Sequence, residues 1–158
     1  MPASDASADG EMDLREVRLL RLPLPILARA QEHNEGLMRE FALIANPHPH
    51  IDVDVPVRML QLIAALRDRY TAFTVSANAE IERAMERGDE EIDLTFRVPA
   101  AVAEATVELA AMLNRADDYC RQGSLLTLAT PDDLVAFRRW YLGEFRAQIN
   151  GARPTPWR

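Results

Sequence analysis

The sequence contains no lysine, and all 18 of its basic residues are arginine. This absence excludes Schiff-base chemistry and phosphate loops that depend on a lysine side chain. A single cysteine excludes an internal disulfide and is typical of a reducing compartment, so we expect a cytoplasmic protein. Only six glycines are present, and none of the GxSxG, HExxH, CxxC or glycine-rich phosphate motifs occurs. We therefore expect no cofactor and no enzyme of a familiar motif class.

Long apolar runs are also missing. No run approaches the roughly 18–20 residues that a membrane-spanning helix needs. The first 13 residues lack the basic start and the apolar core of a signal peptide. We therefore expect no membrane association, and the length of 158 residues predicts one domain with a core of its own.

The chain carries 25 acidic residues against 18 basic ones. Four of the acidic residues lie in the first 13 positions, which contain no base: Asp5, Asp9, Glu11 and Asp13. We predict a disordered acidic tail over residues 1–13, a single globular domain over residues 14–150 and an irregular tail over residues 151–158, where two prolines occur. The chain after the acidic tail is only mildly acidic, and its composition predicts no binding of nucleic acid or of anionic lipid.

The spacing of apolar residues predicts a predominantly helical α+β fold. Residues 91–98 give the clearest strand, because apolar and polar residues alternate there. The other predicted elements are strands over residues 17–22 and 124–129 and helices over residues 26–45, 57–70, 79–87, 99–122 and 131–150, with a break at residues 71–78. Thr130 is the predicted N-cap of the last helix and Pro131 its first residue. We expect a small two- or three-stranded sheet with helices packed on one face; the alternative is a helical bundle with one β-hairpin, if residues 124–129 form a loop.

The last predicted helix places a charge inside its apolar face. That face consists of Leu134, Tyr141, Leu142, Phe145 and Ile149. Arg138 falls in the middle of it, where an unpaired guanidinium would be costly to bury. We predict an internal ion pair, and the candidate carboxylates are Asp93, Asp117 and Glu104. The alternative is a site for an anion or an acidic partner.

Trp140 lies on the other side of the same helix, roughly 140° from the centre of the apolar face. A tryptophan in such a position packs either under another segment or at an interface, where Trp and Arg are enriched. We predict an interface formed by Phe137, Arg139, Trp140 and Glu144; the alternative is packing under the C-terminal tail.

A second set of candidate residues is polar. His33 and Asn34 lie at and within the apolar face of the helix predicted over residues 26–45. With Arg138 they predict a polar pocket for a small ligand or a hydrolytic reaction, although no nucleophile accompanies them. A buried Asn more often pairs with a neighbouring backbone group. Cys120 lies on the apolar face of its own helix and is predicted to be a buried, unreactive thiol.

One run has the residue types of a metal site. In the run HPHIDVD, an extended backbone would place His50, Asp52 and Asp54 on one face beside His48. One proline lies in this run and one directly before it, and both favour a polyproline helix with three residues per turn. In that conformation His50, Asp52 and Asp54 would not share one face. We therefore predict a connecting loop over residues 46–56 and no metal site.

Four stretches carry a further signal: LPILARAQEHNEGLMREFALIA, EEIDLTFRVPAAVAEA, ADDYCRQGSLLTLATPDDLVAFRRWYLGEF and the closing PTPW. They resemble an uncharacterised family of small actinobacterial proteins over most of residues 14–157. Members of that family tend to be encoded beside anti-sigma-factor kinases, anti-anti-sigma antagonists and stress-type serine phosphatases. The resemblance implies a role in partner-switching regulation, and it implies no catalytic residue.

Two hypotheses follow from the sequence. The first is a non-enzymatic regulatory or adaptor protein that acts through protein–protein contacts, with sigma-regulatory proteins as the partners that the resemblance implies. A symmetric homodimer that buries Trp140 is a variant of it. The second is a small-ligand-binding protein or hydrolase with a pocket near His33, Asn34 and Arg138.

Overall fold

The computed structural model describes residues 13–45, 54–123 and 126–158. Within these residues the elements are, in chain order, β1 (Leu14–Pro23), α1 (Leu24–Ile44), α2 (Asp54–Arg87), β2 (Glu91–Pro99), α3 (Val102–Arg121) and α4 (Asp132–Ile149). The two strands pair as one antiparallel sheet. The predominantly helical α+β class is therefore confirmed. No helix in the described ranges is long and apolar enough to cross a membrane.

The sheet has one buried face and one exposed polar face. Leu94, Phe96 and Val98 of β2 are buried, whereas the residues between them are exposed, as the alternation predicted. Val17 of β1 lies opposite Phe96 in the register. The pairing is interrupted between Leu19 and Leu22, where Arg21 has a φ of 55° and its backbone N–H donates to Asp93 (2.8 Å). This bulge increases the local twist of the sheet.

Two groups of buried side chains form the core. The first lies between the sheet and the helices and comprises residues of both strands, of the C-terminal half of α2 and of α4, among them Val17, Leu94, Phe96, Ala77, Ile81, Ala84, Phe137 and Phe145. The second joins α1, α2 and α3 and contains Leu37, Phe41, Met59, Leu113, Ala116, Tyr119 and Cys120. Helices therefore cover one face of the sheet and pack on one another beyond it.

The predicted break at residues 71–78 is wrong, because α2 is one helix of 34 residues. The hydroxyls of Thr71 and Thr74 donate to backbone carbonyls of the same helix, those of Arg67 (2.6 Å) and Thr71 (3.0 Å). Ala77, buried further along the helix, packs in the core beside the sheet. Burial of this face stabilises a stretch that residue propensities alone disfavour. The predicted connector also ends earlier than expected, since α2 begins at Asp54.

The predicted start of the last helix is wrong by one residue. The N-cap is Pro131 and makes no side-chain cap hydrogen bond, so Thr130 stands outside the helix. Residues 126–129 form no strand; residues 124 and 125 lie outside the described ranges. The backbone N–H groups of Leu126 and Thr127 instead donate to the carboxylate of Glu40 in α1. Leu126 and Leu128 are 95% and 80% exposed, because no neighbouring strand covers them.

The C-terminal residues are irregular, as predicted, and they fold back on the domain. The backbone N–H of Trp157 donates to the carbonyl of Leu20 (3.0 Å). The side-chain amide of Gln148 accepts from the backbone N–H of Arg18 (2.9 Å) and donates to its carbonyl (2.8 Å). Together, α4 and the C-terminal residues cover the outer edge of β1 at Arg18 and Leu20. The acidic residues 1–12 and the loop residues 46–53, with His48, His50 and Asp52, lie outside the described ranges.

Candidate functional site

Arg138 forms a buried ion pair with Asp117, one of the three carboxylates predicted as its partner. The Arg138 Nη2 atom lies 2.8 Å from Asp117 Oδ2, and the two side chains are only 13% and 5% exposed. Nη2 also donates to the side-chain oxygen of Asn114 (2.9 Å). Because α4 contributes Arg138 and α3 contributes the other two residues, the pair fixes the two helices against each other.

Thr130 connects this ion pair to α1. Its hydroxyl donates to Asp117 Oδ1 (2.6 Å), and its backbone N–H donates to the same oxygen (3.0 Å). His33 Nε2 lies 3.1 Å from the same hydroxyl oxygen. A hydroxyl has one proton and Asp117 receives it, so the contact with His33 requires that Nε2 carries a hydrogen and donates it. The polar cluster of His33, Asp117, Thr130 and Arg138 therefore joins three parts of the chain.

The charges in this cluster follow from its burial. Burial alone would raise the pKa of Asp117, but hydrogen bonds from the Thr130 side chain and backbone and from Arg138 outweigh it, so the pKa lies below its ordinary value. The pKa of His33 is lowered, mainly by burial; Asp117 opposes this shift and Arg138 adds to it. A nucleophilic hydroxyl would have to give its proton to the imidazole, whereas here it gives it to a carboxylate. The arrangement is that of a structural hydrogen-bond network.

The predicted polar pocket is only partly assembled. His33 and Arg138 meet at Thr130, because Arg138 Nη1 lies 3.5 Å from the hydroxyl oxygen that His33 Nε2 also contacts. Asn34 is exposed and lines a different cavity, between α1, α2 and α3. Cys120 is buried, and burial, with smaller contributions from Asp117 and Glu40, raises the pKa of its thiol to about 11. Such a thiol is protonated at neutral pH and is a poor nucleophile.

The four residues predicted as an interface do not share one exposed surface. Phe137 and Glu144 are 4% and 7% exposed. The carboxylate of Glu144 accepts from the Thr155 backbone (2.9 Å) and from Gln148 (2.8 Å). The indole N–H of Trp140 donates to the Thr155 carbonyl (2.8 Å), and its ring packs edge-on against another tryptophan, Trp157, at 5.5 Å.

Trp140 therefore packs under the C-terminal tail, which was the alternative prediction. The prediction of an exposed surface containing Phe137 and Glu144 is wrong, because the tail folds over this side of α4 and buries it. Arg139 is exposed, on the neighbouring side of the helix.

Arg139 lines a cavity of about 270 Å³ between α3 and α4, which we name the arginine cleft. Its walls are formed by Thr106, Val107, Ala110, Asn114, Val135, Arg138, Arg139, Leu142, Gly143 and Arg146. None of these is acidic. Arg139 and Arg146 are both exposed, and neither guanidinium forms an ion pair or hydrogen bond with the described residues. The two residues are seven positions apart in the sequence, so they lie two turns apart on one side of α4, roughly 10 Å along its axis.

The walls between these arginines are largely apolar. Val107 of α3 is 46% exposed there. Gly143 lies between the two arginines, and a Cβ at that position would meet nothing within 4 Å, so the cleft stays open at its centre. At the Asp117 end a second cavity adjoins the cleft, but its carboxylates are already paired, Asp117 with Arg138 and Asp118 with Arg121. The two exposed guanidinium groups are therefore available to a carboxylate or phosphate from outside.

Sequence reasoning found Arg139 but missed Arg146. The spacing of seven residues was visible, and it places both side chains on one face of a helix. What the spacing could not give is the neighbouring wall, because α3 has no sequence signal that it packs beside α4 in this orientation. Among the described residues no group of three His, Cys, Asp or Glu side chains could hold a metal ion.

Comparison with known proteins adds no further assignment. No protein-family model, no curated protein and no solved structure matches this chain. The resemblance to the actinobacterial family therefore stays a prediction.

Proposed function

We propose that the protein is a non-enzymatic regulatory or adaptor protein that binds an acidic segment of a partner protein in the arginine cleft. The observation that carries this proposal is the pair of exposed, unpartnered guanidinium groups of Arg139 and Arg146 in a cleft without a carboxylate. Some exposed arginines of this chain are neutralised by a nearby acid, for example Arg29 by Asp133 and Arg121 by Asp118, whereas others, such as Arg83 and Arg97, form no ion pair with the described residues. What sets Arg139 and Arg146 apart is that they line one cleft together, two turns apart on α4 and beside an apolar wall. These are the features of a site for an anionic segment.

The polar cluster supports a binding function over a hydrolytic one. Thr130 gives its hydroxyl proton to Asp117, and the thiol of Cys120 is buried and protonated. Neither is positioned as an activated nucleophile. The resemblance to proteins encoded beside sigma-regulatory proteins narrows the proposed partner to that class, in particular an anti-sigma-factor kinase or its antagonist.

Titration calorimetry tests the proposal with purified proteins of that class. We expect the double variant Arg139→Glu, Arg146→Glu to bind at least about tenfold more weakly, because each substitution replaces an attraction by a repulsion. The matched control is Arg83→Glu, Arg153→Glu, which makes the same change in net charge at two exposed arginines outside the cleft. If both double variants lose the same affinity, the loss comes from the change in net charge and not from the cleft. If both bind as the wild type does, the arginine cleft is not the binding site.

A further inference from the structure

The outer edge of β2 has backbone groups without partners. Gln148 bonds both the N–H and the carbonyl of Arg18, so these groups of β1 face away from β2. In an antiparallel pair of strands, two residues that lie directly opposite point their backbone N–H and carbonyl groups either towards each other or away from each other. Thr95 is the register partner of Arg18, so its N–H and carbonyl also face outwards, on the other side of the sheet. By the same alternation, those of Asp93 and Arg97 do so too.

No described residue bonds these outward groups of β2. The two edges of the sheet thus differ. On the outer edge of β1, Gln148 bonds the N–H and the carbonyl of Arg18, and the backbone N–H of Trp157 bonds the carbonyl of Leu20. The nine-residue β2 instead presents three successive outward positions to which no described residue is bonded. Exposed strand edges are sites where another chain adds a strand.

We propose that β2 binds an extended segment of a partner protein, which adds as a third strand along Asp93, Thr95 and Arg97. The segment has alternating apolar and polar residues. The polar ones would lie on the exposed face beside Arg97. Glu16 lies opposite Arg97 on the β1 side, but the guanidinium forms no ion pair with a described residue, so an acidic residue is expected on the β2 side. The carboxylate of Asp93 is already occupied by the Arg21 backbone. This proposal does not rest on the arginine cleft.

An extended segment suits this edge better than a second folded copy of this chain. The helix α2 packs against β2, and Ala77 and Ala84 of α2 belong to the same buried cluster as residues of β2. A second copy paired along β2 would bring its own α2 helix towards this edge, and packed helices need roughly 8–10 Å between their axes. An extended segment brings no helix, and its inward side chains would rest beside the half-buried apolar residues of α2.

Hydrogen exchange on the full-length protein tests the edge itself. In the free protein we expect the amides of Thr95 and Arg97 to exchange quickly and those of Leu94, Phe96 and Val98, which face β1, to exchange slowly. The probes are 12-residue peptides selected from a random displayed library against the full-length protein. A bound peptide should slow exchange of the Thr95 and Arg97 amides at least about tenfold.

Two substitutions at one position complete the test. Thr95→Pro removes the outward N–H without removing a hydrogen bond to β1, whereas Thr95→Val keeps it. We expect the selected peptides to bind the Val variant as tightly as the wild type and the Pro variant at least about tenfold more weakly.

The proposal is overturned if the peptides bind the Pro variant as they bind the wild type, if they protect other amides, or if no peptide is selected. Slow exchange of Thr95 and Arg97 in the free protein would overturn it as well. This last measurement needs no substitution, so it decides the question even if the Pro variant does not fold.

Discussion

At the scale of single residues, Asp117 has the most demanding environment. Its carboxylate is 5% exposed and accepts hydrogen bonds from the Thr130 backbone, the Thr130 hydroxyl and the Arg138 guanidinium. Its charge is compensated by one arginine that is itself nearly buried. Such a pair is sensitive to the loss of either partner, because the remaining charge stays in a poorly hydrated site.

Replacing Asp117 by Asn should therefore lower the free energy of unfolding by about 3–5 kcal/mol, since Arg138 keeps its charge and loses its counter-ion. Denaturation by urea measures the change. Asp118→Asn is the control, because Asp118 pairs with Arg121 on the surface, where such pairs contribute little. A loss no larger than that of the control would show that Arg138 reaches solvent or another acid.

Because His33 belongs to the same cluster, its protonation makes the stability of the protein depend on pH. Its pKa in the folded protein is below the ordinary value of 6.5, so the unfolded chain binds the proton more tightly. The stability that neutral His33 contributes is complete above pH 6.5 and is lost as the pH falls through the lowered pKa of the folded state.

We predict that the free energy of unfolding falls as the pH drops below about 6.5, and that His33→Gln removes part of this slope. Gln can still donate to Thr130 but does not titrate. Urea denaturation at several pH values gives both slopes, with the remaining histidines common to the two proteins. Identical slopes would mean that His33 has the same pKa in the folded and the unfolded chain.

At the scale of elements, the sequence predicts best where one period dominates. The alternation over residues 91–98 predicted β2 to within one residue, because a sheet covered on one face requires that pattern. The prediction from the sequence failed for α2. A break was predicted over residues 71–78, which include Thr71, Thr74 and Val75, but tertiary packing holds this stretch in the helix. It also failed before α4, since Thr130 has the residue type of an N-cap but uses its hydroxyl for Asp117 in another helix.

The C-terminal segment is the element whose contribution was least visible. Two prolines indicated irregular structure, and packing of Trp140 beneath the tail was an alternative prediction, but nothing local indicates that Trp157 returns to β1. These contacts join residues far apart in sequence, and a single sequence contains no record of such pairs.

Replacing Trp140 by Ala should lower the free energy of unfolding by about 2–3 kcal/mol, because the ring packs against Phe137 and Trp157 and its N–H is bonded. Trp140→Phe should cost less, about 1 kcal/mol, since it keeps most of the packing and loses the hydrogen bond. Thermal denaturation followed by circular dichroism compares the two. Two variants as stable as the wild type would show that the tail does not hold Trp140 in solution.

At the scale of the whole molecule, the sheet and the tail occupy one side of α4, and the arginine cleft lies between α4 and α3. Of the candidate site, the sequence supplied Arg138, a set of three candidate carboxylates of which Asp117 is the partner, and the exposed Arg139. It could not supply the cleft, because a cleft depends on how two helices separated by a loop are placed. The central claim of the proposed function is that an acidic protein has a surface that binds anions. This claim concerns the guanidinium groups of Arg139 and Arg146, and it can be measured directly.

The most direct measurement follows the arginine Nε–H signals of the ¹⁵N-labelled full-length protein by NMR during titration with a hexapeptide of glutamate. We predict that the signals of Arg139 and Arg146 move together and saturate, whereas that of the exposed Arg83 stays unchanged. If all exposed arginines shift alike and without saturation, the peptide senses only the general field of the protein, and the arginine cleft is not a binding site.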